Sequence, residues 1–124
     1  MKPTDAELDI LQILWRQQPC TVREVNDILN ETRPVGYTTT LKIMQLMAIK
    51  GMVSRDTSSR THLYSAAVDR SVTQRTLLDR LTDKAFGGSA KQLILSALGH
   101  QSTTPEELAE IRRLIDELEQ QNHK

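Results

Sequence analysis

Apolar residues recur at intervals of three and four along most of this chain, and the gaps between the runs hold residues that stop helices. Leu8, Leu11, Leu14 and Trp15 trace one amphipathic run over residues 5–17, broken by Gln18-Pro19-Cys20. Val22, Val25, Ile28 and Leu29 trace a second over residues 22–30. After the short connection Arg33-Pro34-Val35-Gly36, a third helix is predicted from about Tyr37 to Lys50, with Gly51 placed to end it as a left-handed cap. The period then changes. Residues 52–55 and 61–65 read as extended segments around the turn-rich Asp56-Thr57-Ser58-Ser59-Arg60. Three helices and a hairpin in this order predict a winged helix-turn-helix.

The second half of the chain is helical again, with three apolar stripes. Leu77, Leu78, Leu81, Ala85 and Phe86 form the first; Leu93, Ile94, Ala97 and Leu98 the second; Leu108, Ile111, Ile115 and Leu118 the third, in alternating three and four spacing. Gly87-Gly88 and Gly99-His100-Gln101-Ser102 separate these helices. Three short helices do not easily bury such stripes within one chain, whereas a two-fold partner does. The alternative is a compact bundle packed on the winged helix. The expected fold is therefore mainly α with a small β wing. A winged helix-turn-helix occupies residues 1–67 and a helical dimerisation region residues 68–124, with Leu78, Leu81, Leu93, Leu98, Leu108, Ile111, Ile115 and Leu118 in the seam.

Helix starts add a chemical signal. Five of them read as capping boxes, a Ser or Thr followed three residues later by Glu or Gln: Thr4 with Glu7, Thr21 with Glu24, Ser71 with Gln74, Ser89 with Gln92, and Thr104 with Glu107. Pro105 adds the favoured first helical residue to the last. The third helix differs, since Leu41, Lys42 and Ile43 stand where an acid or amide belongs and no Asp or Glu occurs between Glu31 and Asp56. Carboxylates in a first turn complement the helix dipole. Their absence points to a turn that faces something already negative, and phosphate is the natural candidate.

Composition limits that idea without removing it. The chain has 124 residues, 26% charged, and a formal net charge of zero, so bulk charge gives no reason to expect a nucleic acid. Its distribution does: between Arg33 and Tyr64 the cations Arg33, Lys42, Lys50, Arg55 and Arg60 face one acid, Asp56, a local balance of +4. Aromatics are only 3%, so Leu, Ile, Val and Met must build the core, which suits helices. One cysteine, Cys20, forms no internal disulfide, and neither a signal region nor a membrane-length apolar run is present. A cytoplasmic protein without direct membrane binding is expected. Cys20, His62, His100 and His123 lack metal-ligand spacing, and neither a phosphate loop nor a Ser, His and acid arrangement is found. No metal, cofactor or enzymatic activity is expected.

In a helix-turn-helix the later helix enters the major groove by its N-terminal residues. That puts Thr38, Thr39 and Lys42 at the groove, where a hydroxyl donates or accepts, a methyl meets thymine, and an ammonium meets guanine or phosphate. With Thr40, Ile43, Met44 and Met47 toward the core, a helical wheel turns Thr38, Lys42 and Gln45 outward. Arg55 and Arg60 flank the wing turn, within reach of the DNA backbone. The blander reading makes the threonines cap residues, Lys42 a solvated charge, and Arg55 and Arg60 guards of an edge strand. A winged helix that docks a protein instead of DNA is the competing function.

The runs "AELDILQILW", "PCTVREVNDIL" and "PVGYTTTLKIMQLMAIKGMVSRD", with the later Arg60 and Tyr64, resemble the BlaI/MecI/CopY family of bacterial penicillinase and resistance-gene repressors. The resemblance implies a homodimeric repressor on a palindromic double-stranded operator. By position, Tyr37 and the threonines after it fall on the family's groove-reading helix start, and Arg55 and Arg60 on its wing. Leu46 and Ile49 depart from it, standing where relatives carry basic or charged residues. The cysteine-rich C-terminal motif of the copper-responsive branch is missing. The resemblance also implies a membrane sensor or protease as a partner that relieves repression. In relatives an Asn-Phe bond of the dimer region is cut, and Ser96-Ala97 stands at that place here.

Overall fold

Helix α1 (Asp5–Gln17) begins where the Thr4 hydroxyl accepts the Glu7 N–H and the Glu7 carboxylate accepts the Thr4 N–H at 2.8 Å. The same reciprocal box, Thr21 with Glu24, starts α2 (Val22–Leu29). Helix α3 (Tyr37–Lys50) starts at Gly36 with no side-chain cap and no acid in its first turn. It ends at Gly51, whose φ of 81° allows the Gly51 and Met52 N–H groups to close on the carbonyls of Ala48 and Met47. The strands β1 (Val53–Asp56) and β2 (Leu63–Ala66) pair antiparallel, with Arg55 opposite Tyr64, and make the wing. Helices α4 (Arg70–Ala85), α5 (Ala90–His100) and α6 (Pro105–Asn122) complete the order. This description rests on a computed structural model and covers residues 2–100 and 102–122. Gln101 and His123 lie outside it.

The chain divides into two compact units, Met1–Leu78 and Asp79–Lys124. In the first, Ile10, Leu11 and Leu14 of α1, Val25 of α2, Met44 and Met47 of α3, and Tyr64 of the wing are almost fully buried together. The link between α1 and α2 joins the sheet: Cys20 and Tyr64 exchange backbone hydrogen bonds of 2.9 and 2.7 Å, covering one edge of β2. Cys20 is itself buried, and burial pushes its thiol up, as does the Glu24 charge, which keeps it a packed, protonated group. The first unit also holds the wing exit. The Trp15 indole donates to the Val68 carbonyl at 3.0 Å, the Gln18 amide oxygen accepts from the Ala66 N–H at 2.7 Å, and Thr73 is buried.

One helix start differs from expectation. Asp69, not Ser71, caps α4: its carboxylate accepts from the Val72 N–H and the Ser71 hydroxyl, and its carbonyl begins the helix with Thr73. Asp and Ser are comparable caps, and the chain turns into the helix at Asp69, so its carboxylate meets the first free N–H group and Ser71 falls inside the helix. The other boxes keep their places, Thr104 with Glu107 reciprocally and Ser89 accepting from the Gln92 N–H. In the second unit the left-handed Gly87 and Gly88 separate α4 from α5, and no residue of α5 or α6 is buried.

Two polar contacts set the helices of the first unit. The Thr40 hydroxyl donates to the Asn26 side-chain oxygen at 2.7 Å inside the α2 and α3 contact, with both residues buried. Lys50 at the end of α3 meets the buried Glu7 at 2.7 Å, at the start of α1. Burial pushes the Glu7 carboxyl up, but hydrogen bonds from Lys50 and Thr4 and the Lys50 charge outweigh it, and it titrates below its ordinary 4.5.

Replacing Thr40 by Val keeps the volume and strands the Asn26 oxygen, so Thr40→Val is expected to lower the unfolding free energy by about 1–3 kcal/mol in urea titration. For Glu7 the sign follows from its lowered folded value: the stabilisation is full above pH 4.5 and disappears as pH falls through the folded pKa. The stability gap between wild type and Glu7→Gln should therefore be widest near neutrality and shrink progressively below pH 4.5.

Candidate nucleic-acid interface

Three turns of α3 bury Thr40, Met44 and Met47, which fixes what the opposite side presents. Thr38, Lys42, Gln45 and Ile49 form the exposed row, in the orientation expected for the first three. Ile49 is 81% exposed and Leu46 beside it 46%, so this row turns apolar toward its C-terminal end. Thr39 is exposed too, but opens on a separate hollow shared with Asp9, Arg33 and Ile43. The threonines offer no cap hydrogen bond to the α3 start, which Gly36 occupies.

Beside the first turns of α3 lies a groove of about 290 Å³ that reaches the wing. Tyr37, Leu41 and Gln45 line one wall, Arg55, Arg60 and His62 the other. It brings together four of the residues expected from sequence: Tyr37, Gln45, Arg55 and Arg60. Thr38, Thr39 and Lys42 lie outside its lining. No carboxylate lines it. Asp56, the wing's acid, is turned to its own chain, where hydrogen bonds with Ser58 hold its carboxyl below the usual range.

The cations of this region sort into two groups. Lys50 is paired with Glu7, and Arg33 lies 3.7 Å from Asp9, so acids of α1 offset two of the five charges in the +4 balance. That balance was counted along the chain and missed carboxylates contributed from α1. Lys42, Arg55 and Arg60 have no ion-pair partner among the described residues. Arg23 joins them in space: it lines the groove from α2, its guanidinium 4.6 Å from the centre of the Tyr37 ring. An exposed cation over an aromatic face gains about 0.5–1 kcal/mol. Counted along the sequence, Arg23 is cancelled by its neighbour Glu24. The available signal was its place in the first turn of a helix, where the dipole disfavours a positive charge.

The remaining sequence-derived positions lie in α4, α5 and α6. Leu78, Leu81, Leu98, Ile115 and Leu118 are exposed, and Leu93, Leu108 and Ile111 half-buried. Among the described residues no group of three His, Cys, Asp or Glu is placed to hold a metal ion, and no helix is long and apolar enough to cross a membrane. His123 lies outside the described residues.

Residues 3–117 match the penicillinase repressor family. The chain is 28% identical over 117 residues to the transcriptional regulator BlaI of Mycobacterium tuberculosis, spanning 93% of this chain and 83% of the relative. It is 20% identical over 114 residues to the penicillinase repressor of Bacillus licheniformis, spanning 92% and 89% of the two. Among solved structures, the solution structure of the DNA-binding domain of the repressor BlaI aligns at a TM-score of 0.47 and 26% identity, over 57% of this chain and 92% of that one. A match that runs from the start of α1 almost to the end of α6 takes in both compact units, and the chain belongs to the penicillinase repressor family.

Proposed function

We propose that the protein represses transcription by binding double-stranded DNA as a homodimer on a palindromic operator. One observation carries the reading: the unpaired cations Lys42, Arg55 and Arg60 flank an acid-free, uncapped helix start in a repressor-family winged helix. Thr38 and Thr39 meet base edges with Tyr37 and Gln45 beside them, and Lys42 meets guanine or phosphate. Arg55 and Arg60 lay guanidinium groups along the backbone.

Dimerisation belongs to residues 68–124. Leu78, Leu81, Leu98, Ile115 and Leu118 are exposed large apolar side chains at helical spacing, and the half-buried Leu93, Leu108 and Ile111 extend the same stripes. Apolar surface of this extent marks an association site, and a second copy supplies a matching face by symmetry. The pair sets two recognition helices roughly one DNA turn, 34 Å, apart. A membrane sensor or protease then relieves repression. The family's cut at an Asn-Phe bond does not carry over, since Ser96-Ala97 stands at that place, inside α5.

The exposed Leu46 and Ile49 favour a second reading, in which the outward face of α3 docks a partner protein. Salt separates the two. Six to ten phosphate contacts per dimer give a slope of about −5 to −9 in log binding constant against log salt, and Arg60→Ala should make it shallower by up to about 2 with little change in sequence preference. Binding that ignores salt would favour protein docking. Ile115→Asp sets a charge in the apolar seam at a cost of several kcal/mol. Sedimentation should then show a monomer with much weakened DNA binding, and a wild-type monomer would overturn the dimer.

A further inference from the structure

We propose that the groove between α2, α3 and the wing seats the backbone of one DNA strand, with Arg23 as a phosphate ligand held in place by the Tyr37 ring. The inference rests on the DNA-binding reading above and adds a residue from outside the recognition helix and the wing. Three guanidinium groups converge on the groove, Arg23 from α2 and Arg55 and Arg60 from the wing, and no carboxylate lines it. Such a gathering of like charges makes a local positive potential that favours an anion. Arg23 is also the second residue of α2, where the helix dipole opposes a cation, so nothing in its own helix explains the charge.

Its surroundings explain it better as a ligand. Arg23 has no ion-pair partner among the described residues, and the adjacent Glu24 carboxylate is engaged by the Thr21 N–H. The Tyr37 ring centre lies 4.6 Å from its guanidinium carbon, a cation–π contact that restrains the group. A planar fork restricted in this way loses little freedom when it grips a phosphate oxygen pair. Tyr37 is thus a positioning residue: its ring matters and its hydroxyl does not. A strand crossing from the start of α2 past the start of α3 to the wing meets Arg23, Arg60 and Arg55 in one groove, while the exposed row of α3 faces the bases.

The test uses the full-length protein, a mixed-sequence duplex, and a duplex selected from a random pool by the wild type, each labelled for anisotropy titration across salt. Arg23→Gln should weaken both duplexes by a similar factor, about fivefold or more, and make the salt slope shallower by up to about 2 for the dimer. Arg23→Lys should keep the slope and recover only part of the affinity, since the charge remains and the stacked fork does not. Tyr37→Leu should bind more weakly than Tyr37→Phe, which keeps the ring under the guanidinium. Wild-type slope and affinity in Arg23→Gln would overturn this inference and leave the DNA-binding reading standing. Loss confined to the selected duplex would assign Arg23 to base reading and overturn the phosphate role. Equal loss in Tyr37→Phe and Tyr37→Leu would overturn the platform, and a wild type that binds neither duplex would overturn both this inference and the reading beneath it.

Discussion

The presentation of α3 depends on the buried hydrogen bond between Thr40 and Asn26. Apolar contacts between two helices tolerate a small roll, because one methyl replaces another at little cost. A buried hydroxyl facing a buried carboxamide has no such latitude, since any roll leaves both unsatisfied. Shifting α3 by one residue, about 100°, would carry Thr40 off Asn26 and turn Thr38, Lys42 and Gln45 out of the exposed row. Asn30 reinforces the same geometry from the connection, its side chain bonding both to the Asn26 carbonyl and to the backbone of Val35. The turn before α3 and the roll of α3 are therefore fixed together.

Charge is divided along similar lines. Lys50 and Arg33, at the two ends of the α3 region, are drawn onto carboxylates of α1, Lys50 tying α3 to the buried Glu7 and Arg33 meeting Asp9 at the surface. Those in the middle and on the wing are left without carboxylates. A protein of zero formal net charge can thereby carry a locally positive face, because its acids stand elsewhere: in helix starts, in the α1 pairs and along α6. Lys50 serves the fold through Glu7, and the unpaired cations remain free to act.

Much of the first unit was legible in the sequence because its signals are local. Thr4 and Thr21 with their glutamates mark helix starts within four residues, and Gly51 marks an end, so the starts of α1 and α2 and the end of α3 follow directly. The exposed row of α3 follows once Thr40, Met44 and Met47 are set toward the core, a frame that periodicity alone leaves open because Leu41, Leu46 and Ile49 make the helix apolar on more than one side. What escaped was whatever depends on residues distant in sequence: Glu7 reads as a cap and is also the partner of Lys50, 43 residues away. Arg23 looks neutralised beside Glu24, yet shares its groove with the wing. Asp69 escaped for a different reason, since two potential caps lay two residues apart and only the backbone path chose between them.

The anchor at the wing exit has an optical consequence. Trp15 is the chain's sole tryptophan, and its indole N–H is bonded to the carbonyl of Val68, where the chain leaves the wing for α4. Indole emission shifts with the polarity and hydrogen bonding around the ring, so the tryptophan emission of this protein, excited to the red of its two tyrosines, comes from a single, known joint. Any event that loosens or tightens the passage from wing to α4 changes that emission in the unlabelled molecule. The joint can be followed in real time without adding a dye or altering a residue.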